Sequence, residues 1–327
     1  MRHSSLRDNS PTVYSIQNPR PKAGGFVEVN AFAKINLFLA VTGKRDDGYH
    51  ELVSVMQSVG LCDTLQISMR DLHGRVQDPP LRNIPQITLE TNNTSLPTGD
   101  DNLIIKAVKL IMHEYSIPCP IHIKLEKRIP MGAGLGGGSS NAAATLHGLN
   151  QLFQLDIPLQ TLLKMGETLG ADVPFCIIGG SALAEGIGEI LSPLPPHPPC
   201  HIVLACPNIH ISTAATFGKL TAFAPPPVEN FLQTYETQDI SQIASAFFNT
   251  FTPITAALHP IISTLITDLH THGALGASMT GTGSTVFGYF LSENDAHRAC
   301  DILKKIHLNT TFFTTKVQGG VVSHGKR

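Results

Sequence analysis

Several signatures of chemistry are missing from this chain of 327 residues. Its six cysteines, at 62, 119, 176, 200, 206 and 300, form no C-x-x-C pair and no zinc spacing, which points to reduced thiols in a cytosolic protein. Fifteen histidines are spread along it without an H-E-x-x-H pair, and no Ser/His/Asp signature is present. The formal net charge is only −2, so no global field draws in nucleic acid or an anionic membrane, and any phosphate site must be built locally. No apolar run approaches the roughly 18 residues that cross a bilayer. Residues 1–24 lack the apolar stretch of a secretory signal and, with prolines 11, 19 and 21, are expected to be a disordered tail. They are basic, contain serine and are poor in acids, which also fits a short organelle transit peptide. The expectation is a soluble, cytoplasmic bacterial protein, with a plastid location less favoured.

What is present is glycine in one place. Five of the seven residues from Gly132 to Gly138 are glycine, and Pro130-Met-Gly-Ala-Gly-Leu-Gly-Gly-Gly-Ser-Ser140 runs straight into a helical pattern with apolar Leu146, Leu149 and Phe153. Glycine lets a backbone take positive φ and approach a ligand closely. A helix start beyond it, N-capped by Ser139 or Ser140, would turn unpaired N–H groups and a positive dipole end toward an anion. A linker would be polar on both sides, and this run is not. A Walker A loop needs Lys where Ser139 stands. A dinucleotide fold needs a buried parallel strand feeding the first glycine. Here Ile121, Ile123 and Leu125 alternate with His122, Lys124 and Glu126, the pattern of a strand with one wet face, and Lys127, Arg128 and Pro130 intervene.

Elsewhere, 42% hydrophobic residues suffice for a large core, and the length allows two domains, expected at 25–196 and 197–327 with the joint at Pro193-Leu-Pro-Pro-His-Pro-Pro199. Phe26 to Thr42 alternates with period two, placing Val27 through Val41 at odd positions on one face and Lys34, Asn36 and Phe38 on the other. Asp46-Asp47-Gly48 makes a turn, and Glu51 to Met69 reads as two strands parted near Leu61-Cys62-Asp63. Asp71 to Pro85 reads as a loop insertion. Helices are expected at 103–115, capped by Asp100, Asp101 or Asn102, and at 158–169, 212–220, 228–248, 254–271 and 293–306. Paired strands are expected over 176–191, with further strands at 201–206, 285–291 and 310–318. Strands split by helices make an α+β second domain.

Lys34 and Asn36 share a strand face, so an ammonium and an amide project together, although Lys34 also reads as a surface lysine on an edge strand. Asp172 reads equally as a helix N-cap and as a catalytic carboxylate. Thr280-Gly-Thr-Gly-Ser-Thr285 is a second glycine turn, either a further donor of N–H groups and hydroxyls to phosphate or an ordinary loop.

Pro130 to Ala144 resembles the phosphate loop of the GHMP kinases, and Thr280 to Ser284 resembles their C-terminal glycine motif. Ala33-Lys-Ile-Asn-Leu-Phe-Leu39, Gly48-Tyr-His50, Asp101-Asn-Leu103, Leu169-Gly-Ala-Asp-Val-Pro174 and Ala184-Glu-Gly-Ile-Gly-Glu189 are similar to the branch acting on a cytidine-diphosphate-linked methylerythritol. The similarity runs over about residues 28–320. It departs in the tail, in the insertion and at Thr280 and Thr282, where serines are common. The resemblance implies a two-domain GHMP fold, with an N-terminal ribosomal-S5-like β/α domain and a C-terminal ferredoxin-like α+β domain. It implies an ATP-dependent transfer to the 2-hydroxyl of that substrate for isoprenoid precursor synthesis, Asp172 being the base and Lys34 its partner. Mevalonate or homoserine is the alternative acceptor. Asn102, Lys127, Pro130, Gly132, Gly134, Leu135, Gly136, Gly137, Gly138, Ser139 and Ser140 would hold ATP, with Ser139 or Ser140 as candidate for Mg²⁺. Asn36, Tyr49, His50, Thr213, Phe217, Gly281 and Gly283 would meet the alcohol substrate. A monomer or weak homodimer is expected.

Overall fold

The computed structural model describes residues 25–69, 87–117, 119–220 and 222–320. The expected tail and the expected insertion at 71–85 lie outside them. β1 (Phe26–Lys44) turns through Gly48, whose φ is +89°, into β2 (His50–Met69), and the two pair antiparallel along almost their whole lengths. The anticipated break near Leu61 is a bulge inside one strand: Phe32 faces Cys62 and Ala33 faces Val59, so Gly60 and Leu61 are extra and pairing resumes beyond them. A second bulge, between Asn36 and Phe38, overturns the strict alternation expected of β1. One inserted residue flips the faces. Phe38 and Ala40 therefore pack with Ala33, Ile35 and Leu37, while Leu39 and Val41 go to a different cluster.

β2 also pairs with β4 (Ile121–Glu126), which carries β3 (Ile87–Thr91) parallel on its far side, and with β5 (Ser181–Glu185), which pairs in turn with β6 (Ile190–Pro193). Four helices accompany this sheet: α1 (Leu103–Glu114), α2 (Gly137–Phe153), α3 (Leu159–Leu169) and α4 (Val173–Ile178). α1 buries Ile104, Ile105, Ala107, Val108 and Ile111. α4 takes in Cys176, so the paired strands begin at Ser181 and not at 176. Gly179 ends that helix with φ +61°.

The chain then enters a four-stranded sheet through β7 (His201–Pro207). α5 (Thr213–Phe217) is one short turn. The helix expected over 228–248 is α6 (Val228–Glu236) and α7 (Ile240–Ser245), parted where Gln238 takes φ +57° and the Asp239 carboxylate caps Ser241 and Gln242. β8 (Phe248–Asn249), unforeseen in the sequence, pairs parallel with Phe38 and Leu39 and returns the chain to the first sheet. Pro260 likewise parts the helix expected over 254–271 into α8 (Thr252–Leu258) and α9 (Ile261–Thr271). β9 (Gly276–Met279), β10 (Val286–Phe290), α10 (Glu293–Ile306) and β11 (Thr310–Lys316) complete an antiparallel sheet of order β11-β7-β10-β9. Taking α9 as the first crossover, β7-α9-β9-β10-α10-β11 is the βαββαβ ferredoxin-like order. No helix among the described residues is long and apolar enough to cross a membrane.

β8 pairs with Phe38 and Leu39, and at Lys34 the other side of β1 is covered by the glycine loop through Leu135, so Lys34 is buried and is not a surface lysine. Residues Ala33 to Val41 are all buried, packed between elements of both halves of the chain. The fit is tight at Gly276, where an added Cβ would run into the Ala244 carbonyl of α7. Gly276→Ala is expected to cost about 1–3 kcal/mol by overpacking, measured as a lower urea midpoint at constant slope. An unchanged midpoint would mean that α7 moves aside freely.

Candidate active site

The glycine run forms the wall of a cleft of about 400 Å³. Gly132, Gly134 and Gly136 all have positive φ, at +64°, +78° and +67°. Gly136 occupies the N-cap of α2 in the left-handed region without a side-chain cap, so the expected serine cap is corrected: Ser139 and Ser140 lie inside the first turn. A glycine leaves the first N–H groups of α2 unobstructed, as anion binding requires. Ser140 is buried and its hydroxyl donates to the Phe32 carbonyl at 2.5 Å. Among the described residues no protein group takes the hydroxyl of half-buried Ser139. Asn102, Lys127, Pro130, Leu135, Gly137 and Gly138 line the same cleft. Asn102 is the cap of α1, its Oδ1 accepting from the Ile104 N–H at 2.9 Å and its Nδ2 donating to the Pro97 carbonyl at 2.6 Å.

β1 runs beside the loop, and the Lys34 N–H donates to the Leu135 carbonyl at 3.0 Å. The lysine stem packs so closely on Gly136 that a Cβ there would lie 2.9 Å from Lys34 Cγ. Lys34 Nζ, its residue 4% exposed, donates to Asn36 Oδ1 at 2.9 Å and faces Asp172 Oδ2 at 3.5 Å. Asp172 sits before α4 in the N-cap place, yet its side chain makes no cap bond. Cys176 lies beside this pair; burial, reinforced by Asp172, pushes its thiol far above the usual range and keeps it a neutral filler.

Asn36 holds the second glycine turn. Its Oδ1 also accepts from the Thr280 hydroxyl at 3.1 Å and the Gly281 N–H at 3.0 Å, and its Nδ2 donates to Ser54 Oγ at 2.8 Å. The Thr280 hydroxyl lies 3.2 Å from the Gly134 carbonyl, and the Thr285 N–H donates to the Ala133 carbonyl at 3.2 Å. The second turn therefore braces the first. Gly283 fills a space closed by Met279 and Ile211, and Thr282 meets Thr213 hydroxyl to hydroxyl at 3.2 Å.

Aromatic rings gather around His50 and Phe217. The His50 ring lies 5.0 Å from Phe217 and 5.9 Å from Phe223, and Phe217 rests edge-on against Phe251 at 4.6 Å. Tyr49, on the turn before β2, is 61% exposed.

Segments 102–180 and 229–308 match the models of the GHMP kinases N terminal domain and the GHMP kinases C terminal domain. A 4-diphosphocytidyl-2-C-methyl-D-erythritol kinase of Lachnoclostridium phytofermentans is 42% identical over 84% of this chain and 91% of that relative. The chain belongs to the 4-diphosphocytidyl-2-C-methyl-D-erythritol kinase family. It is a GHMP kinase. A second kinase of that name, from Lachnospira eligens, is 39% identical over 82% of this chain and 90% of its own. The crystal structure of a 4-(cytidine 5'-diphospho)-2C-methyl-D-erythritol kinase superposes with a TM-score of 0.74 at 31% identity, covering 90% of this chain and all of that one. Homoserine kinase from Cytophaga hutchinsonii, at 21% identity, superposes with a TM-score of 0.68 over 90% of this chain and 95% of its own and shares the fold alone.

Sequence reasoning missed part of this kinase's site. Asp63, read as a break between strands, is fully buried and takes the Lys127 ammonium at 2.6 Å, the Asn141 amide at 2.8 Å and the Arg128 and Ile129 N–H groups at 2.7 and 2.8 Å. Burial pulls the Lys127 ammonium below the ordinary lysine range, and Asp63 works against that pull. The His210 ring, equally unforeseen, lies over Gly132. No local pattern marks either residue, because each acquires its partners from distant segments.

Proposed function

We propose that the enzyme transfers the γ-phosphoryl group of ATP to the 2-hydroxyl of 4-diphosphocytidyl-2-C-methyl-D-erythritol, a step toward isoprenoid precursors on the non-mevalonate route. One observation carries the reading: a Lys34–Asp172 pair 3.5 Å apart stands where the glycine loop crosses β1. ATP would lie in the cleft with its phosphates on the first turn of α2. The acceptor would reach Asp172 from the aromatic side, its cytosine between Tyr49 and Phe217, with His50 at its edge.

Asp172 Oδ2 then accepts the hydroxyl proton as that oxygen attacks the γ-phosphorus. The bond to the β-phosphate oxygen breaks, and ADP leaves. Lys34, held by Asn36, offsets negative charge on the attacking oxygen, and the loop N–H groups offset it on the phosphates. A hydroxyl such as that of Ser139 suits Mg²⁺, which takes oxygen ligands and binds with substrate phosphates. No cluster of three His, Cys, Asp or Glu able to hold a metal occurs among the described residues, so the ion would arrive with the nucleotide. Mg²⁺, when bound, neutralises phosphate charge. Residues 25–196 would then form the nucleotide domain and 197–327 the domain completing the acceptor site.

A coupled assay of ADP release tests the reading. Turnover is expected with the cytidylated alcohol and not with mevalonate or homoserine, and the reverse preference would overturn it. Phe217→Ala is expected to raise KM for the cytidylated alcohol about ten-fold or more, since stacking on one base is worth roughly 1–3 kcal/mol, and to leave KM for ATP unchanged. Equal effects on both constants would place Phe217 outside the acceptor site.

A further inference from the structure

Asp63 has no part in the chemistry and does not itself line the cleft, yet it is a fully buried charge with four donors, two of them on residues that do. Four donors converge on its two oxygens: Arg128 N–H and Ile129 N–H on Oδ1, Lys127 Nζ and Asn141 Nδ2 on Oδ2. They come from two further elements, the stem that runs into Pro130 and the first turns of α2. Asp63 itself belongs to β2, just past its bulge. Lys127 and Asn141 both line the cleft. Lys127 Nζ also donates to the Ile129 carbonyl at 2.7 Å, and it lies so near Gly137 that a Cβ there would be 3.1 Å away. Two of its three N–H bonds are thus committed, which leaves one. Stability alone does not call for this arrangement, because a buried ion pair is matched by well-packed apolar residues.

We propose that Asp63 is a positioning residue for the nucleotide, acting through Lys127: its carboxylate fixes the ammonium in the cleft wall, under the first turn of α2, before ATP arrives. The inference rests on the nucleotide reading of the cleft. Asp63→Asn keeps Oδ1 as an acceptor for the stem but sets an amide donor against Lys127 and Asn141, so it disturbs the cleft side selectively.

The test is calorimetric binding of ADP and of a non-hydrolysable ATP analogue with Mg²⁺, together with steady-state kinetics, for wild type, Asp63→Asn, Lys127→Met and the double variant. Asp63→Asn is expected to weaken nucleotide binding and raise KM for ATP by about ten-fold or more. KM for the alcohol and kcat at saturating ATP should stay within about three-fold, a split that general loss of folded enzyme does not produce. The double variant should match Lys127→Met within about two-fold. A folded Asp63→Asn enzyme with wild-type nucleotide affinity overturns the proposal, as does a parallel change in kcat and both KM values. Should Asp63→Asn fail to fold, the double variant, which leaves no unpaired buried charge, is compared with Lys127→Met, and a further ten-fold loss of affinity overturns the role through Lys127. Failure of the wild type to bind either nucleotide would instead sink the reading of the cleft, and this inference with it.

Discussion

Asp172→Asn is expected to lower kcat by about 10²–10⁴, the usual worth of a positioned base, with the fold intact. Asparagine has nearly the same shape but cannot accept the hydroxyl proton. The fold does not depend on the carboxylate. Its side chain caps no helix N–H, is 34% exposed, and touches Lys34 only at 3.5 Å. Lys34 keeps a closer hydrogen-bond acceptor in Asn36 Oδ1 at 2.9 Å. Binding of ATP should be unaltered, because the cleft lined by the glycine loop does not include Asp172. The expected kinetic result is therefore an equal fall in kcat and kcat/KM, read with a thermal melt close to wild type. Turnover within ten-fold of wild type in a folded protein would remove Asp172 from the role of base.

Gly134→Ala should damage both binding and turnover, by about 10² or more in kcat/KM for ATP, since a shift near 1 Å in positioned groups has that order of effect. Two obstacles coincide at this position. Gly134 has φ +78°, and an added Cβ would collide with the Thr280 carbonyl and come within 3.0 Å of the Gly283 carbonyl. Both are backbone atoms of the turn that braces the loop, so a side chain cannot simply rotate away. The collision would part the two turns and loosen the Thr280 contacts to Asn36 and Gly134. Gly273→Ala supplies the comparison. Its φ is +97° but nothing lies within 4 Å of the added Cβ, and it follows α9 in the second half of the chain. It should show only the backbone penalty of about 1–2 kcal/mol, with kinetics unchanged. If Gly134→Ala behaved like Gly273→Ala, the bracing of one turn by the other would have no functional weight.

Legibility in the sequence followed the range of the interactions. The glycine loop and the amphipathic helix behind it were readable, because a run of glycines before a 3.6-residue apolar period is a local signal. α10 was read to the residue, since Ser292 caps Asp295 and the acidic first turn and basic last turn both agree with the helix dipole. β1 was read as a strand, but its face pattern failed beyond Asn36, because a bulge changes register without leaving a mark in composition. The long helices at 228–248 and 254–271 failed for a different reason. The apolar period shifts face at Gln238 and Asp239, where the turn and its cap end α6, and Pro260 separates α8 from α9, so in both places an apolar pattern was followed past a local stop.

By itself the sequence determined that a glycine loop opens a helix, that strands and helices interleave after residue 200, and that Lys34 and Asn36 share a strand face. Those are properties of neighbours along the chain. Tertiary structure alone decided which residues meet. Asn36 and Thr280 are 244 residues apart and hydrogen-bonded, Asp63 and Asn141 are 78 apart, and Lys34 of β1 meets Asp172 at the start of α4. A side chain's local preferences act over a few residues, whereas its partners at the site are chosen by which strands pair and which helices pack. That is why the glycine loop could be read and the Asp63 carboxylate could not.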